Sequence, residues 1–248
     1  MRDAIRHFTA EFIGVFALVF VGSGSIMMAR HTNAATPLIL AATAHGLILS
    51  VMVSATMRVS GHLNPAVTIG LLVTRRVEPL MAAIYVCAQL LGAIAAAYIL
   101  KATVPPEVFA ASRGGGQSVA LEVTTGQAIV LEMIATFFLT FVVFGTAIDK
   151  TAPRIGGFAI GLTVAADILA IGPLTGASMN PARSLGPALA SGILEGQFVY
   201  WAGPILGSII AAVLYDQLFL RRAAELPLHG AIRPDDPAPP PPRGRKKQ

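Results

Sequence analysis

The chain has 248 residues, of which 54% are hydrophobic and only 12% charged, where a soluble domain carries roughly 25% charge. So little charge cannot cover the apolar side chains in water, which excludes a soluble enzyme, a disordered chain and a collagen-like fibre. A single cysteine, Cys87, excludes a disulfide framework and a Cys-based zinc site, and the net charge of +5 sits in loops and at the C-terminus, so no nucleic acid partner is expected.

In chain order, six stretches reach the ~20 mostly apolar residues that a spanning helix needs: 8–29, 37–57, 79–100, 125–148, 155–171 and 198–220. The expected fold is an all-α, multi-pass protein integral to a lipid bilayer, placed in the cell membrane. The short polar start Arg2–His7 runs directly into a full-length span, so the first helix is expected to serve as its own insertion signal. Cys87 is expected on a packing surface of the third span.

Six spans put both termini on one side. Arg2, Arg6, Arg58, Arg75, Arg76, Lys150, Arg154 and the basic tail fall on that side, whereas Arg30, Lys101 and Arg113 fall on the other. The asymmetry predicts cytoplasmic termini. The segment 223–248 is proline-rich and charged, and is expected to be a disordered cytoplasmic tail.

The chain repeats itself. SGHLNPAVTIG from Ser60 is echoed by TGASMNPARSLG from Thr175, and AEFIGVF from Ala10 by LEMIATF from Leu131. The Ala88-Gly92-Ala96 row recurs as Gly203-Gly207-Ala211, a close-packing helix surface. Two units are expected, 1–110 and 111–222, each with three spans. Because three is odd, the second must run through the membrane inverted, and short segments at matching positions then mark the permeation site.

Those short segments are 64–73 and 180–190. About ten residues of helix at ~1.5 Å each give ~15 Å, half of a ~30 Å hydrocarbon core. Each opens on Asn-Pro-Ala: Asn64, Pro65, Ala66 and Asn180, Pro181, Ala182. Asn caps a helix and Pro at its first position forfeits no hydrogen bond, so two re-entrant half-helices are predicted to point their N-termini at each other near the midplane. Each N-terminus carries about +0.5 charge, which repels a desolvated cation and leaves a neutral dipole free to pass. The two asparagine NH2 groups are expected to offer donors to a passing oxygen, which would hold a water with its hydrogens pointing away and interrupt a proton wire. Arg183 lies at membrane depth, where a charge is costly unless it lines water. Glu11 and Glu132, at equivalent repeat positions, are expected to accept hydrogen bonds from the irregular backbone before each half-helix, with Gln89 a further structural contact. His62 is expected on the cytoplasmic pore wall. No catalytic cluster, metal set or cofactor motif is apparent, and no enzyme activity is expected.

These residues resemble the aquaporin, or major intrinsic protein, family. The resemblance rests on SGHLNPAVT, SMNPARSLGPAL, AEFIG, AQLLG and YWAGPILG and covers about residues 10–220. It implies a homotetramer with a pore in every subunit and passive, bidirectional flow. Carried over one position at a time, the family's selectivity filter falls on His45, Ile168, Ala177 and Arg183. That set looks like the vacuolar-type plant members, which pass water and small neutral solutes such as ammonia, urea or hydrogen peroxide. Ser184, where glycerol-type members carry Asp, and the Tyr200-Trp201 pair depart from a glycerol or small-polyol facilitator. A proton-coupled secondary transporter is the remaining alternative. The His45 ring is expected to present one donor and one acceptor to the permeant, and Asp167, beside Ile168, either tunes the filter or bonds a neighbouring helix.

Overall fold

The structure is a computed structural model that describes residues 2–153 and 155–220; the tail expected at 223–248 and the loop residue Arg154 lie outside the described residues. The described residues form helices and no strand. Six helices are long and apolar enough to cross a membrane. They are α1 (Arg2–His31), α2 (Pro37–Thr56), α4 (Pro79–Thr103), α6 (Thr125–Val143), α7 (Gly156–Thr175) and α9 (Val199–Tyr215). Two shorter helices, α3 (Pro65–Val73) and α8 (Pro181–Ser191), lie between them, and α5 (Pro106–Ala111) follows α4. Wide helical turns, Phe144–Ile148 and Asp216–Leu220, lengthen α6 and α9 to the full predicted spans.

α1, α7 and α5 depart most from the sequence expectation. α1 continues at both ends beyond the apolar run, because a helix needs hydrocarbon only where it crosses it. α7 runs through Pro173 to Thr175; near the C-terminal end the lost N–H bond removes one link, and Gly176 then stops the helix in a left-handed conformation (φ 81°). α5 has no counterpart in the sequence expectation, because six residues are too few to carry a periodic signal.

The packing repeats the sequence symmetry. α1 packs on α2 and α4, α6 packs on α7 and α9, and α2 crosses α7. α3 docks on α9, and α8 on α4. The small-residue rows are where backbones touch: a Cβ on Gly92 would lie 2.4 Å from the Phe12 carbonyl oxygen, and one on Gly207 only 2.0 Å from that of Met133. A backbone carbonyl inside a helix cannot retreat as a flexible side chain can. Gly207→Val should therefore push α6 and α9 apart and cost at least the ~1–3 kcal/mol typical of overpacking. The check is a lower melting temperature and a reduced monodisperse fraction in detergent; melting at the wild-type temperature would refute the crossing.

Cys87 is exposed rather than packed. The packed row on α4 is Ala88, Gly92 and Ala96; Cys87 falls about 100° away, on the face carrying exposed Leu80 and Leu91.

Candidate functional site

The two Asn-Pro-Ala corners meet at the centre of the molecule. Asn64 Oδ1 accepts the Ala66 N–H (2.9 Å), and Asn180 Oδ1 accepts those of Ala182 (3.0 Å) and Arg183 (3.2 Å), capping α3 and α8. The residue before each asparagine is forced into the left-handed region, Leu63 at φ 49° and Met179 at φ 54°, where a bulky side chain is unusual. The turn aims each carbonyl at the opposite corner. Asn64 Nδ2 donates to the Met179 carbonyl (2.7 Å), and Asn180 Nδ2 donates to that of Leu63 (2.8 Å). One hydrogen of each amide is thus committed across the junction, and one remains.

Two buried carboxylates hold the irregular approaches. Glu11 Oε1 accepts the N–H groups of Gly61 (3.0 Å) and His62 (2.9 Å), and its Oε2 accepts those of Leu63 (2.7 Å) and Gln89 Nε2 (2.7 Å). Glu132 accepts those of Ser178 (2.9 Å) and Met179 (2.7 Å) and the Thr175 hydroxyl (2.8 Å). Gln89 also reaches Thr68 Oγ1 (3.0 Å), whose hydroxyl donates to the Asn64 carbonyl. Backbone that lacks helical partners is tolerated at membrane depth only when its groups are bonded in this way.

A narrow cavity runs past these corners. His45, His62, Asn64, Asn180 and Arg183 supply its polar lining, while Leu49, Val53, Leu139, Val143, Ile160, Val164 and Ile168 supply an apolar wall. The room for the centres of water-sized molecules is about 30 Å³, against the ~10–15 Å³ that one water requires. Only a thin file fits.

All four residues carried over as a filter line this cavity: His45, Ile168, Ala177 and Arg183. His45 Nε2 accepts from Arg183 Nη2 (2.7 Å) and Nε (3.2 Å), and His45 Nδ1 bonds the Ala41 carbonyl (2.7 Å). A carbonyl only accepts, so Nδ1 carries the proton and Nε2 offers its lone pair. Both ring nitrogens are then occupied, which corrects the expectation that this ring offers donor and acceptor to the permeant. What is left is Arg183 Nη1, buried without a hydrogen-bond partner.

The structure separates other candidates. His62 lines the cavity, its Nδ1 3.2 Å from Thr68 Oγ1. Asp167 does not line it, and its buried Oδ2 has no hydrogen-bond partner, so the expected bond to a neighbouring helix is absent at that oxygen. Asp216 pairs with Arg76 at 2.5 Å. Sequence reasoning missed Gln117. It packs on Gly176, next to Ala177, at a spacing that leaves no room for a Cβ (2.8 Å), and both its amide atoms are buried without partners. A lone glutamine in a glycine-rich loop carries no periodic signal that could have found it.

The observation that decides the family is the match of the major intrinsic protein model to residues 1–215. The chain belongs to the major intrinsic protein family. It is 43% identical to aquaporin TIP1-2 of Zea mays over 231 residues, covering 88% of this chain and 87% of that one. It is 40% identical to aquaporin TIP2-1 of Arabidopsis thaliana over 242 residues, covering 92% and 93%. The X-ray structure of the aquaglyceroporin from Plasmodium falciparum superposes with a TM-score of 0.78 at 24% identity, covering 90% of this chain and all of that one; it shares the fold. This major intrinsic protein is an integral, multi-pass membrane protein.

Proposed function

We propose that the chain is a passive channel for water, with small neutral solutes such as ammonia, urea and hydrogen peroxide second and glycerol third, and that it excludes ions and protons without covalent chemistry. The observation that carries this reading is the single thin file that runs past both asparagine corners and Arg183. Two helix N-termini and a guanidinium make the file electropositive, so a cation would lose its hydration and meet repulsion. A water accepting the remaining hydrogen of each asparagine points its own hydrogens outward, which breaks a proton relay. His45, Ile168, Ala177 and Arg183 are the selectivity filter in this reading. Proton-coupled transport is disfavoured because Glu11 and Glu132 are committed to backbone donors. Reconstituted vesicles compared by light scattering under water, urea and glycerol gradients test the ranking. Glycerol flux matching that of urea would overturn it.

In the same reading, 1–110 and 111–222 are inverted repeats, supported by the paired corners and paired glutamates. The functional unit is a homotetramer, for which light scattering of the detergent-solubilised protein is the test. Both termini face the cytoplasm, supported by the charge asymmetry; placement in the cell membrane belongs to the same reading, and cell-surface labelling of cysteines placed in the loops tests both.

Mercurials provide a separate check. Cys87 is exposed on α4 away from the cavity, and Ala177 lines it. Water flux should resist Hg²⁺ in the wild type and become sensitive in Ala177→Cys. Strong wild-type inhibition that disappears in Cys87→Ser would contradict this geometry.

A further inference from the structure

A second concave site lies on the face where α1 ends and α2 begins. It measures about 520 Å³ and is formed by the α1–α2 connection on one side and the loop after α5 on the other, a size typical of small-ligand sites. Two guanidiniums line it, Arg30 and Arg113, with Asn33, Ser112 and Ser118 as further polar groups. No carboxylate lines it. Among the described residues, neither guanidinium makes a hydrogen bond or an ion pair, and the one ion pair joins Arg76 to Asp216 on the opposite face. Lys101, the third basic residue of this face, is used: its Nζ donates to the Ala190 carbonyl (2.6 Å) at the end of α8.

The arginines come from segments far apart in sequence, yet the backbone fixes both. Arg30 is in the last turn of α1. Arg113 is held at φ 53°, a conformation disfavoured for a side chain of its size, and Asn33 at φ 49°. The loop carrying Arg113 is pinned by Gly115, where a Cβ would lie 2.6 Å from Ser23 of α1. Two exposed guanidiniums that line one concavity without a carboxylate beside them suit an oxyanion, which arginine binds through charge-assisted, forked hydrogen bonds.

We propose that this pocket is a binding site for a phosphate-type oxyanion, presented either by a free phosphate or by a lipid headgroup. Ala41 lines the same pocket, and its carbonyl bonds His45 Nδ1. An occupant would therefore sit one backbone group away from the ring that holds Arg183.

The test uses full-length, detergent-solubilised protein. The first arm titrates inorganic phosphate by calorimetry, with the wild type, Arg30→Gln, Arg113→Gln, the double variant, and Arg75→Gln on the opposite face as control. The second arm places the same proteins in nanodiscs of phosphatidylcholine with or without phosphatidylglycerol and counts retained lipid by native mass spectrometry. Water flux of the reconstituted variants verifies folding. Saturable phosphate binding, weakened at least tenfold in the double variant and unchanged in Arg75→Gln, supports a free phosphate. Retained phosphatidylglycerol in the wild type and control, lost in the folded double variant, supports a headgroup. Binding that is absent in both arms, or unchanged in the double variant, overturns the proposal.

Discussion

Glu132→Leu should abolish accumulation of folded protein. The leucine fills a similar space but accepts no hydrogen bond, so the N–H groups of Ser178 and Met179 and the Thr175 hydroxyl lose their acceptor together. A buried donor left unsatisfied costs about 1–3 kcal/mol, and three of them approach the ~5–15 kcal/mol that separates folded from unfolded states of ordinary domains. Glu132→Gln keeps an acceptor oxygen and replaces the other by a donor that faces donors. It should fold with a clearly lower melting temperature. Detergent-extracted yield and thermal unfolding give the comparison, and a Glu132→Leu protein that melts like wild type would show that the approach to α8 holds itself. Glu11→Leu should behave alike through Gly61, His62 and Leu63.

The second large effect is expected at His45→Phe. Phenylalanine removes the acceptor of Arg183 Nε and Nη2, and with Nη1 already unpartnered the buried guanidinium loses its side-chain acceptor, at a cost of more than the ~1–3 kcal/mol of a neutral donor. The guanidinium is then expected to turn toward the polar cavity it already lines. The wider solute feels this first. A barrier raised by ~1.4 kcal/mol slows permeation about tenfold, and urea flux should fall by that order while water flux changes little. Stopped-flow light scattering on reconstituted vesicles reads both. An unchanged urea-to-water ratio would mean that His45 does not position Arg183.

How far the sequence reaches can be seen at the two corners. Asn64 and Asn180 were legible because capping, proline placement and repetition are local signals, and the six spans were legible because length and hydropathy are. Glu11 and Glu132 were found by their paired positions, and their expected partners, the backbone donors before each half-helix, are the ones observed. What could not be read depends on groups brought together from distant segments. The commitment of both His45 nitrogens requires the Ala41 carbonyl one turn earlier on α2 and Arg183 from α8. The left-handed Leu63 and Met179 are imposed by the opposite corner, against the preference of both residue types. Gln117 is placed by Gly176, more than fifty positions away, and Cys87 was misplaced because one step along α4 turns a side chain from the packed row to the exposed face.

The reciprocal bonds between the corners bear on assembly in time. The first half can place Asn64 and turn Leu63, but its amide donor and its carbonyl both point at groups that have yet to be synthesised. Until α8 arrives, one polar pair lies open where there is little water to cover it. Both bonds need Met179 and Asn180, so neither can close before the second corner is made. The first half of the chain is thus fastened by residues made more than a hundred positions later.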